Sequence, residues 1–545
     1  MWETTMNDHG ADLLVRAAAV HTLVPGQEPQ RALAVRGDRI AAVSSDPKGL
    51  DGWVTARTRV LDVPGATVLP AFDDTHTHLI FAGHSAHDVP VHQARTLAEF
   101  LDLIRQRAAT TPEGEWIRTT TNWQELHLAE RRMPTAAELD QATDRHPVLV
   151  KRGGHNDVVN SYALRLAGIT EDTPVPAGGV IGRDADGRLN GRLIDNALGL
   201  VERHVPARSR AQRIDGLRLA SGRYAATGIG TVRDCAVSLD DYAVLLAARE
   251  AGALHTRVRA LISAFGLSSA AQVEDLLDAM EDWRYGADPG LRVWGVKFGL
   301  DGGLEAGATE EPYACDHAFS GTLTWEPDAL VEAVEAVVRR GWRVGTHAYG
   351  DRAVRILLDV YERVLRNHPG LPAGTLVMEH GALAGPGQRA RAVALGIPVT
   401  IQQPLLHDTA DVEREFWGPE RVAALFPARG WLDQGALVAA GSDYPVGQFG
   451  AMRSVWGMTT RQTVIGVQGP EHSVTYEEAL ALHTTQAARL LGEEHLRGTL
   501  TPGRLADLTI WDRDPARCPS EALRDLNPAH TLLGGRLVHG PEPTA

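Results

Sequence analysis

Cysteine is scarce in this chain of 545 residues. Cys235, Cys315 and Cys518 stand far apart, which excludes a disulfide framework and a cysteine-rich zinc site. Excess positive charge is also missing. The formal net charge is −15, which argues against nucleic acid or an anionic membrane surface as a partner. No stretch approaches the about 20 apolar residues of a membrane span. Met1–Gly10 is polar and lacks the apolar core of a secretory signal. No internal repeat or low-complexity segment is visible. The expectation is a cytoplasmic protein with no membrane partner. Histidine, by contrast, is plentiful, with 22 residues. A metal site in this chain has to be built from histidines and carboxylates.

The chain is too long for one simple domain. Residues 11–66 read as short strands, with Leu13–Val20, Ala32–Val35 and Ile40–Val43 separated by Pro25-Gly26 and by the hairpin signal Gly37-Asp38. The C-terminal segment has the same texture, with a turn and strand at 503–511 and a hairpin around Gly534-Gly535. Neither end carries enough apolar surface alone. The expectation is one composite β-sandwich built from residues 1–66 and 491–545.

Between the ends, strand-like runs alternate with helical ones. The runs are Val68–Phe72, Ile229–Arg233, Arg257–Ile262, Val293–Phe298, Arg343–Thr346, Thr375–Met378, Ile397–Ile401 and Ala436–Ala440. Leu330–Val338 and Ala353–Val364 have helical apolar spacing, and Ser269–Gln272 reads as a capping box. This alternation predicts an α/β fold, a TIM-like (β/α)8 barrel over residues 67–490. One interval, about 80–210, is too long for a crossover. It carries its own elements, a helix capped by Thr96 and a strand at Pro147–Lys151. It reads as a subdomain inserted after barrel strand 1, where loops face a barrel's active site.

The stretch Asp74-Thr-His76-Thr-His78 ends the first of these runs. Period-two alternation puts Asp74, His76 and His78 on one face and turns Asp73 away. Alone, a His-x-His pair is equally a pair of surface histidines. The other strand ends weigh on the choice. The fourth carries Lys297 and Asp301, the fifth His347, the sixth Glu379-His380 and the eighth Asp443. Each has a plainer reading: Lys297 as a solvated charge, His347 and His380 as structural histidines, Asp443 as a turn residue or helix cap. Those readings do not account for ligand-type side chains recurring in strand order at the end of a barrel that holds catalytic residues.

Taken together, these motifs resemble the amidohydrolase superfamily, and in particular its branch of N-substituted formamide deformylase-like proteins. The resemblance spans nearly the whole chain. It rests on Asp74-Thr-His76-Thr-His78, Gly154-His155 followed by Asn160-Ser161, Val296-Lys297 with Asp301-Gly302, His347-Ala-Tyr-Gly350-Asp351, Glu379-His380, Gln403-Pro404 and Gly441-Ser442-Asp443-Tyr-Pro445. The chain departs from the branch pattern at Ala71, Asp73 and Asp195.

The resemblance implies that His76, His78, Lys297, His347, His380 and Asp443 hold a divalent metal, zinc by preference, as one or two ions. It implies that Lys297 is carboxylated, becoming an anionic oxygen ligand, and that Asp443 also handles protons as the catalytic residue. The expected activity is metal-dependent hydrolysis of a carbon–nitrogen bond in a small-molecule amide, with an N-substituted formamide as the specific case. The alternatives are a deaminase or cyclic-amide hydrolase using the same site, and a non-catalytic binding protein on the same barrel. Candidate substrate contacts are Trp123, His155, Asn160, Asp301, Tyr313 and Gln403. Asn160 reads equally as a helix cap, and Trp123 equally as a core residue. A homodimer is the expected assembly, being the commonest one.

Overall fold

Eight parallel strands, each buried almost throughout, form the barrel. They are Phe72–Thr77, Ile229–Val237, Arg257–Ser263, Leu291–Gly299, Arg343–Ala348, Leu376–His380, Val399–Ile401 and Val438–Ala440, adjacent in that order. In this computed structural model, which describes residues 10–152, 156–176, 179–285 and 288–541, the eighth strand meets the first beyond its own end. Asp443 N donates to His76 O at 2.8 Å, and His78 N donates to Tyr444 O at 2.9 Å.

The helices between the strands form where the apolar spacing predicts. Pro327–Arg339 opens on proline, whose fixed φ suits the first turn, and buries Leu330, Val331, Val334, Val337 and Val338. Asp351–Asn367 buries Val354, Leu357, Leu358, Tyr361 and Val364 on one stripe. Ser269 caps Ala270–Ala279 by accepting from Gln272 N.

The first barrel strand lies later than expected. The apolar run Val68–Pro70 pairs antiparallel with Leu508–Ile510 in a different sheet, and the barrel strand is Phe72–Thr77. Hydrophobicity misplaces it, because the barrel strand is rich in Asp, Thr and His yet buried at every position. Its polar side chains find partners elsewhere in the chain, Thr75 in Thr400, His76 in Glu379 and Asp74 in Ser442.

The chain ends build one seven-stranded sheet. Its order is Arg536–His539, His530–Leu533, Leu508–Trp511, Arg59–Pro70, Leu13–Val20, Gln30–Arg36 and Arg39–Ser44. Residues from strands far apart in that order, including Leu13, Val35, Ile40, Val68, Ile510 and Leu532, share one apolar core. The sheet therefore folds over that core.

The chain divides into two units, Met1–Ile80 with Ala220–Ala545, and Phe81–Leu219. The second has a five-stranded sheet in the order Ile117–Arg118, Val148–Arg152, Asn156–Val159, Leu189–Asp195, Gly179–Arg183. Alternation along its second strand feeds two cores. Val148 and Val150 pack with Phe100, Ile104 and Leu139, while Leu149 packs with Val159, Leu164 and Leu193.

Candidate metal centre

His76 and His78 leave the first barrel strand toward the chain that follows the eighth. His76 Nε2 lies 3.5 Å from Asp443 Oδ1, and His78 Nε2 lies 2.9 Å from the same oxygen. His380, ending the sixth strand, holds its ring tilted against that of His76, with centroids 4.5 Å apart. Ligand atoms of His76, His380 and Asp443 all lie within 4.8 Å of one another, and all three residues are buried. His347, ending the fifth strand, has its ring 4.3 Å from His380. Its Nε2 sits 3.1 Å from Gly302 O. Lys297 is 1 % exposed, and its charge acts on His76, His347 and His380.

The backbone is shaped to hold this arrangement. His380 has φ 70° and Asp443 φ 56°. Both are left-handed conformations that cost a non-glycine residue energy and persist only when the surroundings impose them. Around Asp443 the surroundings are visible. Gly441 lies so close to the first strand that a Cβ there would be 2.5 Å from His76 N. Ser442 N and Ser442 Oγ donate to the two oxygens of Asp74 at 3.0 and 2.6 Å. Asp74 thus clasps the loop that presents Asp443, while His76 and His78 face Asp443 itself.

Electrostatics bring the donors to their metal-binding protonation states. Burial and then the Lys297 charge push His76 down to about 4, Glu379 opposing them. The same two causes push His347 down to about 3. His380 falls well below its usual range through burial and the neighbouring histidines. Burial alone raises Asp443, but His76, His78 and Lys297 outweigh it and hold the carboxyl below its ordinary value. At neutral pH His76, His347 and His380 are neutral imidazoles and Asp443 is a carboxylate, the form in which these side chains bind cations. The buried side-chain atoms without a hydrogen-bond partner among the described residues include His380 Nδ1 and Lys297 Nζ. Leaving a buried imidazole nitrogen unpaired is costly, so His380, together with His76 and the Asp443 carboxylate, fits a bound cation.

The weaker substrate candidates make contacts of their own, and Asp301 adjoins the site, with its Oδ1 3.5 Å from His347 Nε2. Trp123 is buried against Phe100 and donates Nε1–H to Lys151 O at 2.7 Å, inside the core of the second unit. Asn160 is the N-cap of Ser161–Leu166, accepting from Ala163 N and donating to Thr143 O and His146 O. That is the cap reading of this residue. Asp301 accepts from Ala308 N, Tyr349 N and Gly350 N, tying together the loops after the fourth and fifth strands. Tyr313 donates to Gly307 O at 2.8 Å and packs among Phe319, Phe416 and Trp417. Gln403 is buried at the start of the helix Gln403–Trp417, beside Arg461. His155 lies outside the described residues.

Sequence reasoning assigned no role to Glu379 or Arg233. Glu379 Oε2 is 2.6 Å from His76 Nδ1, and Arg233 Nη2 donates to Glu379 Oε1. A charged residue directly before a candidate ligand, in an otherwise apolar strand, was the available signal. Asp73 does turn away from the histidines. It meets Arg497, which also binds Glu493.

Comparisons with known proteins agree with this architecture. The model of the amidohydrolase family matches residues 59–539. The N-substituted formamide deformylase of Arthrobacter pascens is 29% identical over 96% of this chain and 98% of its own. Protein LONG AFTER FAR-RED 3 of Arabidopsis thaliana is 29% identical over 97% of this chain and 92% of its own. The crystal structure of an uncharacterized metal-dependent hydrolase from Pyrococcus furiosus shares the fold, with a TM-score of 0.73 at 24% identity, covering 93% of this chain and 100% of that one. With the family's match running from the composite sheet through the whole barrel, the chain belongs to the amidohydrolase family and is a hydrolase of carbon–nitrogen bonds.

Proposed function

We propose that this enzyme hydrolyses a small-molecule amide, with N-substituted formamides the first class to test, at a metal centre formed by His76, His78, Lys297, His347, His380 and Asp443. The observation that carries the reading is the convergence of His76 and His380 from two strands with Asp443 from the loop after a third, all buried and with ligand atoms within 4.8 Å of one another. Zinc is the ion of choice for a site of histidines and a carboxylate with no cysteine ligand. Occupied by such an ion, the site gains a Lewis acid that polarises a carbonyl and lowers the pKa of a bound water to about 7.

The chain's own residues supply the rest. Asp443 is held ionised beside His78, ready to accept a proton from water and return it to the leaving nitrogen. His347 and His380 form the opposite wall, ring against ring. Lys297, buried with an amine that has no hydrogen-bond partner among the described residues, suits carboxylation, since a carbamate exchanges a buried cation for an anionic oxygen ligand. The formamide reading draws on the Arthrobacter pascens relative. Assembly as a homodimer in the cytoplasm completes the proposal, the dimer being the commonest assembly.

The test is a screen of N-formyl, N-acyl and cyclic amides with the zinc-loaded enzyme. Formate release supports the formamide class. Ammonia or a ring-opened acid in its place moves the enzyme to a deaminase or cyclic-amide hydrolase.

A further inference from the structure

We propose that Arg233, acting through Glu379, is a positioning residue that sets which nitrogen of His76 faces the metal centre. The inference rests on the reading of His76 as a metal ligand. It adds a buried chain of contacts that runs across the barrel behind that ligand.

The chain begins at Trp294 on the fourth strand, whose ring lies 4.6 Å from the Arg233 guanidinium. Arg233, on the second strand, is fully buried. Its Nε donates to Thr75 O at 2.7 Å, on the residue directly before His76. Its Nη2 donates to Glu379 Oε1. Glu379 Oε2 then sits 2.6 Å from His76 Nδ1. The fifth strand leaves room for the carboxylate. Gly345 stands beside it, and a Cβ there would lie 2.3 Å from Glu379 Oε1. Any other residue at 345 displaces Glu379.

The chemistry follows from the donor inventory. An ionised carboxylate only accepts hydrogen bonds. Against Glu379, His76 Nδ1 must carry the hydrogen, which leaves the lone pair on Nε2. That is the nitrogen 3.5 Å from Asp443. The Arg233 fork supplies the countercharge that makes a buried carboxylate tolerable there. It also ties the carboxylate to the strand that carries His76. A carboxylate on the far nitrogen of a ligating histidine orients the ring and raises its basicity, and losing it weakens metal binding about 10–100-fold. Glutamine at 379 offers an amide that can donate to Nδ1 and so favours the wrong tautomer.

The experiment is zinc competition against a chromophoric chelator, using the full-length protein and the variants Glu379→Gln, Arg233→Met and Arg233→Lys. Circular dichroism confirms that each is folded. The expected result is a 10–100-fold loss of zinc affinity in Glu379→Gln and Arg233→Met, with a smaller loss in Arg233→Lys, which restores the charge without the fork. Nitrogen-15 shifts of histidine in the metal-free protein give a second readout. The His76 signal reports hydrogen on Nδ1 in the parent and a mixture of tautomers in Glu379→Gln. If either removal of Arg233 or Glu379 fails to fold, the Arg233→Lys affinity and tautomer decide. Folded variants that bind zinc as tightly as the parent, with His76 unchanged, overturn the proposal. A parent protein that binds no zinc is a different failure, since it removes the metal reading together with this one.

Discussion

Under the proposed function Asp443 has the most demanding residue-scale role, and its loop is built to hold that side chain in place. The left-handed backbone at 443, the glycine at 441 and the Ser442–Asp74 clasp act together. Asp443→Asn keeps the size of the side chain and removes its proton-accepting charge. We expect metal content to be retained and kcat to fall about 10²–10⁴-fold, read by metal analysis beside steady-state kinetics. Near-parental turnover removes Asp443 from the chemistry. Gly441→Ala pushes a methyl group into the His76 backbone and is expected to cost about 1–3 kcal/mol, measured by urea denaturation. A third residue, Glu413, predicts a pH effect. Burial pushes its carboxyl up to about 8, against the Tyr349 hydroxyl that donates to it at 3.0 Å. The folded protein therefore holds a proton that the unfolded chain releases near pH 4.5. This contribution to stability is complete below about pH 4.5 and is lost as pH rises through about 8. Glu413→Gln keeps a neutral side chain at every pH. Its Tm is expected to fall less than the parent's between about pH 6 and about pH 9, and parallel curves contradict the assignment. At this scale the candidate ligands were legible, because His, Lys and Asp recurring at strand ends in barrel order fit a metal site and little else. Arg233 and Glu379 were not, since a buried ion pair and a solvated one read alike in sequence. Trp123 and Asn160 each read equally in sequence as a pocket residue and as part of the fold, and the contacts each makes within the second unit could not be read there.

Among the elements, the first barrel strand is the least typical. Periodicity located seven of the eight strands well, because a parallel strand buried on both faces reads as an apolar run. The first is mostly Asp, Thr and His, and the apolar run ahead of it serves the composite sheet instead. What makes a polar strand acceptable there is pairing with residues distant in sequence. Thr75 Oγ1 lies 2.8 Å from Thr400 Oγ1, and Asp73 meets Arg497, 424 residues later. Sequence alternation correctly turned Asp73 away from the histidines but had no means of finding so remote a partner. Arg497 also reaches Glu493, which binds Arg259 on the third strand. Removing one member of a buried pair strands the other's charge. Arg497→Leu is therefore expected to cost about 3–5 kcal/mol, measured by calorimetry or urea denaturation. A cost within about 0.5 kcal/mol, the usual range for a surface substitution, contradicts the role given to this pair.

For the whole molecule, composition limited the possibilities before any motif was considered. Few cysteines and many histidines directed attention to a histidine–carboxylate site, and a net charge of −15 argued against nucleic acid or an anionic membrane as partner. The alternation of strands and helices made the barrel legible, and the overlong interval after its first strand marked a separate unit, Phe81–Leu219, with its own sheet and cores. The substrate was not legible to the same degree. Its selection depends on side-chain contacts that leave no periodic trace in a sequence. The central claim, amide hydrolysis dependent on a metal held by the strand-end residues, is tested most directly in one assay. Purified enzyme is analysed for bound metal and assayed on N-formyl amides before and after chelation, then again after zinc is restored. We predict about one or two zinc ions per chain, formate release that disappears with the metal, and recovery on its return. Turnover that survives complete removal of metal contradicts the account.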